Sequence, residues 1–400
     1  MICPEPSALQ ELVQDLHRQA APWLPSGCGS RLAWSAPVLP AQGHTEPLVV
    51  STRQLNQVVE HRRGDFTVTV QAGLPLGDLQ AALAEADQWL ALDWPWGSGA
   101  DGSHSGSVGG LVARGLAGGL RQRHLGVRDQ VIGIGVMRAD GTEARAGGQV
   151  VKNVAGYDLM RLFSGSWGSL GLITELTLRT LPRPRHRGGL LLQGPAEALE
   201  PLRQLCLSAA LSPQRLDWWS PALAGEGQPA LLLGLASISC TALNDQLGQL
   251  ASTAAEHGLV AQQLPREELE HLESQGWGAD QQGQPSANHW LLHLGVLPTQ
   301  AITLLGDLQQ LGLACSLAAG AGLGLAWAPG KALAHHQVEQ LRRRCRLLGG
   351  ELIVLQQPAT AAPAVPAWVD APSRPWIEAV KREFDPLQQL ARGRLPGLQA

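Results

Sequence analysis

The chain has 400 residues, of which 44% are hydrophobic and 16% charged, and its formal net charge is −4 at pH 7. This composition excludes a disordered chain, because such chains have too little apolar surface to form a core. The charge gives no basic surface for a phosphate backbone, so we expect no nucleic-acid partner. At about 150 residues per domain, the length predicts two or three domains.

The first part of the chain alternates between helical and strand patterns. A helix is predicted to follow Thr52, because Leu55, Val58 and Val59 share one helical face. The predicted order up to about residue 90 is helix, strand, helix, strand and helix, given by residues 7–20, Leu48–Ser51, the helix after Thr52, Phe66–Gln71 and Pro75–Ala86. This order is typical of a small α/β layer.

A glycine- and serine-rich stretch, Gly97–Gly119, separates that layer from the next strands. Val131–Arg138 is predicted to enter a hairpin, because an Asp-Gly pair follows it at Asp140 and Gly141. A further strand is predicted over Leu170–Leu181. The Pro-, Arg- and Gly-rich stretch Pro182–Gly189 then indicates a domain boundary, which gives a first domain over 1–184.

A second pattern of alternating strands and helices follows. The predicted strands are Leu190–Leu192, Ala230–Ile238, Trp290–Val296 and Gly324–Ala328, and the predicted helices lie near 197–210, 241–257, 299–312 and 331–347. This alternation predicts a second α+β domain over 185–356, without an internal repeat at a fixed period. Residues 357–375 are predicted to be an extended, mobile Pro/Ala-rich linker, and 376–400 a C-terminal helix and tail.

The six cysteines are scattered, without a C-x-x-C pair. Disulfide frameworks and iron–sulfur clusters need closely repeated cysteines, so neither is expected and no metal site is predicted. No apolar run reaches the roughly 18 residues of a transmembrane helix, and the first residues lack the basic and apolar runs of a secretory signal. We therefore expect a cytoplasmic protein with reduced thiols.

Two glycine loops are candidates for phosphate binding. The first is Ser26-Gly27-Cys28-Gly29-Ser30-Arg31, where small residues let backbone N–H groups converge on an anion. The second is Gly106-Ser107-Val108-Gly109-Gly110, which opens a predicted helix. A tight turn and a surface loop are the respective alternatives. Together the two loops fit the diphosphate of a dinucleotide.

Neither loop is a nicotinamide fingerprint, which requires G-x-G-x-x-G between a strand and a helix. Gly133-Ile134-Gly135 lacks the third glycine, so a nicotinamide Rossmann domain is disfavoured. A third segment, Gly147–Leu162, leads through Gly165–Leu170 into a strand. Backbone groups at the start of that strand, Gly171–Ile173, are placed to address the edge of a flat heteroaromatic ring.

These motifs resemble a known family. Residues 46–184 are similar to the FAD-binding domain of the vanillyl-alcohol oxidase and p-cresol methylhydroxylase superfamily. Lys152-Asn153-Val154-Ala155-Gly156-Tyr157-Asp158, closing with Leu181–Pro184, more specifically resembles the FAD-binding subunits of bacterial glycolate oxidases. The resemblance implies an α+β fold, in which a small α/β layer and a mainly antiparallel sheet with helices are followed by a smaller, ferredoxin-like α+β cap.

The resemblance also implies FAD as the cofactor and assigns residues to it. The implied contacts are Gly27, Gly29 and Ser30 in the first loop, Gly106, Ser107, Gly109 and Gly110 in the second, and Gly171 and Ile173 along the flavin. Some superfamily members attach FAD through a histidine where this chain has Ser30, so non-covalent FAD is expected. The family's C-terminal signature is only partly present, as Phe384-Asp385-Pro386 followed by Arg394.

The implied activity is flavin-dependent oxidation of the CH–OH group of a small 2-hydroxy acid. The implied partners are a sister FAD subunit and an iron–sulfur subunit, with no membrane span in this chain and association with the inner membrane only through those partners. A stand-alone dehydrogenase of another 2-hydroxy or sugar acid and a non-catalytic structural flavin subunit are the alternatives. The catalytic residues are not identified; Lys152, Tyr157 and Arg161 are candidates for placing charge or a hydroxyl near the flavin, and a purely structural role for their segment is the alternative.

Overall fold

A computed structural model describes residues 1–40, 47–93, 106–148, 158–209, 211–225, 227–276, 288–359 and 364–399. Its strands are β1 Trp23–Ser26, β2 Leu48–Ser51, β3 Val58–Arg62, β4 Thr67–Gln71, β5 Gln88–Trp89, β6 Val131–Met137, β7 Glu143–Gly147, β8 Leu172–Arg179, β9 Leu181–Pro182, β10 His186–Gln193, β11 Arg215–Trp219, β12 Ala230–Ser237, β13 Val260–Pro265, β14 His289–Gly295, β15 Ala314–Ala318, β16 Leu323–Pro329 and β17 Glu351–Gln356. Its α-helices are α1 Leu9–Arg18, α2 Leu76–Ala84, α3 Val108–Arg114, α4 Arg121–His124, α5 Val127–Gln130, α6 Met160–Phe163, α7 Ala196–Ser208, α8 Pro221–Ala224, α9 Cys240–Glu256, α10 Arg266–Gln275, α11 Ala301–Gln310, α12 His335–Leu347 and α13 Arg374–Phe384. Short 3-10 turns lie at Pro6–Ala8, Arg63–Asp65, Pro298–Gln300 and Gly330–Ala332.

The N-terminal half contains a five-stranded antiparallel sheet in the order β3-β4-β8-β6-β7. Helices α2 and α3 cover it, with Leu79, Leu83 and Val112 packed against Val70 and Leu176. A parallel pair, β1 and β2, lies beside this sheet. The predicted α+β class is confirmed.

The C-terminal half contains an eight-stranded antiparallel sheet in the order β13-β10-β12-β11-β15-β16-β14-β17. Strands β10 to β13 with α7 and α9 form one βαββαβ unit, of the ferredoxin-like type. Strands β14 to β17 with α11 and α12 form a second unit, which has the same strand order. The units join where β11 pairs with β15. A structural duplication therefore exists that the sequence pattern did not indicate.

The helix predicted after Thr52 is wrong. Thr52 and Leu55 close a turn through an N–H···O bond of 2.7 Å, and the chain then enters strand β3. Val58 and Val59 are both exposed on this strand at the edge of the five-stranded sheet. Their spacing from Leu55 fits a helix as well as a strand, because short apolar runs leave the period ambiguous.

The predicted boundary Pro182–Gly189 is shorter than expected. Its last residues, from His186, already belong to β10, which pairs with β12 and β13. Gly189 stands there because a Cβ at this position would overlap the carbonyl oxygen of Leu233. Gly189 therefore allows neighbouring strands to pack closely and does not belong to a loop.

Residues 357–375 are not a mobile linker in the part that the structure describes. Val365 and Trp368 are buried, and the Trp368 indole N–H donates to the carbonyl of Leu398 at 2.7 Å. The Val365 N–H donates to the Gln357 side chain at 2.8 Å. The segment lacks regular secondary structure, yet side-chain burial fixes its path.

The eight-stranded sheet presents its two faces to different neighbours. One face packs on α7, α9, α11 and α12 through the large leucine-rich core. On the other face, Leu291, Leu325 and Leu355 cluster with Trp34 and Trp167 of the N-terminal half. The two halves of the chain are thus joined by an apolar contact. Each helix in the described part of the chain is too short or too polar to span a membrane.

A buried ionic network adds a second connection between the halves. Arg215 on β11 donates to Asp93 and to Asp217, both at 2.7 Å, and lies 3.1 Å from Glu273. Asp93 also accepts the backbone N–H groups of Gly118 at 2.9 Å and Leu120 at 3.1 Å. Burial raises the pKa of Asp217 to about 6 despite the nearby guanidinium. Asp93 therefore makes more polar contacts in this network than Asp217 does.

We expect Asp93→Asn to destabilise the protein far more than Asp217→Asn does. The first change removes a charge that Arg215 and two N–H groups share, and breaking such a buried pair costs about 3–5 kcal/mol. The second removes a carboxylate that also pairs with Arg215 through Oδ2, but its Oδ1 has no partner among the described residues and burial already favours its protonated form, so a smaller loss of about 1–2 kcal/mol is expected. Urea unfolding of both variants measures the difference. Equal losses would show that the two carboxylates contribute alike.

His293 on β14 predicts a pH dependence of stability. It lies between Leu325 and Ile353 in the sheet register, and burial lowers the pKa of its imidazole to about 4. Between pH 7 and pH 5 the unfolded chain takes up this proton and the folded chain resists it, so about 2 kcal/mol of stability is lost as pH falls. His293→Leu is expected to remove this part of the loss. Unfolding curves at both pH values test it, with exposed His336→Leu as the control; an unchanged slope in His293→Leu would contradict it.

Candidate functional site

The two glycine loops meet in one cleft. Strand β1 runs parallel to β2 and delivers the first loop at Gly27, while the second loop precedes α3. A Cβ on Gly27 would overlap the Ser107 hydroxyl, so the two loops are in direct contact. The cleft holds about 940 Å3 of space free of protein atoms, including its open mouth.

The second loop is held tightly by its own backbone. Ser107 accepts the N–H of Gly110 at 3.1 Å, and the Gly109 N–H donates to Ala72 at 2.8 Å. A Cβ on Gly109 would lie 2.9 Å from that Ala72 oxygen, which explains the glycine. Gly106 has a φ of +76°, a conformation that favours glycine. The loop is therefore shaped by backbone packing, with its small residues facing the cleft.

A third wall comes from the segment before β8. Trp167, Gly168 and the start of β8 line the cleft opposite the glycine loops. All nine residues predicted to contact a cofactor line this one cleft, namely Gly27, Gly29, Ser30, Gly106, Ser107, Gly109, Gly110, Gly171 and Ile173. The predicted convergence of loops about 80 residues apart is thus seen in the structure.

Three arginines line the cleft as well, namely Arg31, Arg114 and Arg394. Arg31 and Arg114 lie 5.5 and 5.6 Å from the ring centre of Trp34. Burial lowers the pKa of Arg31 to about 10, and burial together with the other two guanidiniums lowers the pKa of Arg114 to about 9. The cleft is therefore a strongly cationic environment.

The catalytic candidates are placed differently from the glycine loops. Lys152 and Tyr157 lie outside the described residues. Arg161 is on α6, half-exposed and 3.3 Å from Asp158, and it does not line the cleft. The positive charge at the cleft instead comes from Arg31, Arg114 and Arg394. Of these, Arg31 ends the first glycine-loop motif and Arg394 stood in the C-terminal signature, whereas the sequence did not single out Arg114.

The C-terminal tail completes the site. Leu390 forms a parallel bridge with Trp23 on β1, and the Ala391 N–H donates to Trp23 at 2.9 Å. Arg394 then donates to the carbonyls of Ala36 at 2.8 Å and Leu32 at 2.5 Å. The tail thus supports both β1 and the residues that follow the first glycine loop.

Comparison with known proteins identifies the domain that carries these loops. Residues 2–147 match the family described as FAD binding domain. This part of the chain is an FAD-binding domain. Both glycine loops belong to this domain, whereas the wall at Gly171–Ile173 follows the matched residues, and FAD is the cofactor of the domain.

Relatives with curated names match somewhat less than half of the chain. The chain is 37% identical over 184 residues to glycolate oxidase subunit GlcE of Escherichia coli (strain K12), covering 46% of this chain and 49% of that protein. It is 35% identical over 189 residues to D-2-hydroxyglutarate dehydrogenase of Xanthomonas citri pv. viticola, covering 47% and 38% respectively. The chain thus spans about half or less of the length of these relatives in the matched regions.

A solved structure extends the likeness to the whole fold. Alkyldihydroxyacetonephosphate synthase aligns with 98% of this chain and 75% of its own, at a TM-score of 0.66 and 15% sequence identity. At this identity the likeness concerns the fold alone. The five-stranded and eight-stranded sheets of this chain therefore occur together in a known fold.

Proposed function

We propose that this chain is an FAD-dependent oxidoreductase subunit that acts on a small 2-hydroxy acid, with glycolate as the leading substrate. The observation that supports the proposal most is the contact between the two glycine loops, because it creates one cleft in a domain of the FAD-binding family. The names of its relatives, a glycolate oxidase subunit and a 2-hydroxyglutarate dehydrogenase, support the substrate class.

The residues of the cleft fit FAD. A Cβ at Gly27 would overlap Ser107 and one at Gly109 would crowd Ala72, so glycine allows the loops to pack this closely, and their backbone would hold the diphosphate. The backbone at Gly171 and Ile173 would lie along the flavin. Bound FAD supplies a two-electron acceptor for the CH–OH group. With Ser30 at the end of the first loop in place of a histidine, we infer that FAD is dissociable.

Electron transfer from this chain needs an acceptor outside it. Among the described residues, no group of His, Cys, Asp and Glu side chains is arranged to hold a metal ion, and the cysteines are dispersed. We propose that a sister FAD subunit and an iron–sulfur subunit complete the assembly, and that these partners connect it to the inner membrane. The subunit name of the relative GlcE supports an assembly.

The visible spectrum of the purified chain tests this proposal. We expect flavin absorption in the preparation, and bleaching of that absorption when glycolate is added anaerobically to the chain together with its partner subunits. A colourless chain that takes up no FAD would overturn the cofactor assignment for this protein. A yellow chain that no 2-hydroxy acid bleaches, alone or in the assembly, would favour the structural subunit.

A stand-alone dehydrogenase is the second candidate, favoured by the similarity to D-2-hydroxyglutarate dehydrogenase. It predicts that the isolated chain reduces a dye with D-lactate or D-2-hydroxyglutarate. Comparing these acids with glycolate in the same dye assay, with and without the partner subunits, separates the two candidates.

A further inference from the structure

Two arginines of the cleft, Arg114 and Arg394, differ from the buried arginines found elsewhere in the described chain. Four of the latter, Arg187, Arg203, Arg215 and Arg342, each lie within 3.0 Å of a carboxylate oxygen. Arg394 is equally buried, yet it donates to the two backbone carbonyls already described. A buried guanidinium without an acidic partner is costly, so a counter-charge from a ligand is the natural complement.

Arg114 resembles Arg394 in its hydrogen-bond partners. Its guanidinium donates to the carbonyl of Arg31 at 2.6 Å and approaches that of Gly110 at 3.5 Å. No carboxylate in the described chain pairs with it, and its buried Nε has no acceptor there. The charges that act on it most are those of Arg31 and Arg394, both repulsive. Arg114 therefore adds to a local excess of positive charge.

The two nearest guanidiniums flank the second glycine loop. Arg31 Nη1 lies 2.5 Å from the position a Cβ on Gly106 would take, and Arg114 Nη1 lies 3.6 Å from that of Gly110. Stacking on Trp34, and for Arg114 also on Trp167 at 5.4 Å, fixes the planes of these groups. The positive charge is thus placed at the loop expected to hold the diphosphate.

We propose that Arg114 and Arg394, with Arg31 beside them, form an anion site that binds the diphosphate of the cofactor and makes the cleft selective for a phosphorylated flavin. The proposal rests on the proposed FAD site. Planar guanidinium groups bind phosphate oxygens in pairs, and these charge-assisted bonds are among the strong hydrogen bonds in proteins. If backbone N–H groups alone bound the diphosphate, the site would carry less positive charge and FAD binding would depend less on salt concentration.

The test compares flavins with and without phosphate. Apo-protein is titrated with FAD and with riboflavin, following the flavin fluorescence, at low and high salt. We expect Arg114→Met and Arg394→Met each to weaken FAD binding roughly tenfold or more. Riboflavin binding is expected to stay within about twofold, and the salt dependence of FAD binding to decrease. Arg114→Lys, which keeps the charge, is expected to recover part of the affinity.

The control is Arg343→Met, on the exposed face of α12, where FAD binding is expected to be unchanged. Equal loss of riboflavin and FAD would overturn the proposal, because it would show a structural role. Unchanged FAD affinity with weaker glycolate affinity would also overturn it and assign the charge to the substrate carboxylate. Absence of FAD binding by the wild-type chain would instead overturn the proposed function itself.

Discussion

Gly27→Ala is expected to reduce FAD affinity roughly 10- to 100-fold. The new Cβ would overlap the Ser107 hydroxyl, so the first loop must move away from the second. Forcing a methyl group into a packed contact costs about 1–3 kcal/mol, and each 1.4 kcal/mol is tenfold in binding. Fluorescence titration of the apo-protein with FAD measures the loss.

Two further variants make the Gly27 test specific. Gly64→Ala is the matched control, because a Cβ there would meet no atom within 4 Å, and its FAD affinity should equal that of the wild type. Adding Ser107→Gly to Gly27→Ala removes the hydroxyl that the new Cβ would overlap, and the double variant is expected to recover part of the FAD affinity. If Gly27→Ala binds FAD as tightly as the wild type, the contact between the loops does not shape the cofactor site.

Asp385→Ala is expected to lower the free energy of unfolding by about 3–5 kcal/mol and to weaken FAD retention. Asp385 is fully buried and accepts the Lys381 ammonium at 2.6 Å and the N–H groups of Gln389 at 3.0 Å and Leu390 at 2.7 Å. Its removal leaves the Lys381 charge unpaired, a change of that magnitude in other proteins. We expect the loss of stability to affect the cleft as well, because Leu390 pairs with Trp23 on β1, the strand that leads into the first glycine loop. Urea unfolding and FAD titration measure the two effects.

The controls separate the buried pair from an exposed one. Asp370 pairs with Arg374 on the surface, where solvent screens the charges, so Asp370→Asn should leave the free energy of unfolding almost unchanged. The double variant Lys381→Met/Asp385→Asn removes both charges and is expected to be more stable than Asp385→Ala alone. A loss in Asp385→Ala no larger than in Asp370→Asn would show that the tail does not support the domain.

The glycine loops could be found from the sequence because their chemistry is local. Small residues in series and positive φ leave a signature within six residues, as in Gly27–Ser30 and Gly106–Gly110. Their approach in space was inferred only because one diphosphate would need both. Arg31 was named only as the last residue of the first loop, and Arg114 lacks a signature altogether, because arginine is common throughout this chain. The structure distinguishes both by their packing against Trp34.

The large sheet was harder to predict than the loops. Strands β11, β13, β15 and β17 were not predicted, and β13 in particular is an edge strand with mostly exposed residues. The duplication of the βαββαβ unit is visible only in the order of the strands, because the two copies do not repeat residues at a fixed interval along the sequence. Asp93 also escaped notice, because its partner Arg215 is distant in sequence. Lys381 and Asp385 are only four residues apart, but their burial depends on contacts such as that with Ser169, which the local sequence does not show.

Arg394 and Leu390 follow the whole eight-stranded sheet in the chain, although they act beside Trp23 and Leu32. During synthesis the glycine loops therefore emerge long before the segment that supports them. We expect the cleft between the glycine loops to stay incomplete in the nascent chain until Leu390 and Arg394 have left the ribosome. Capture of the dinucleotide is then a late event in the maturation of this polypeptide.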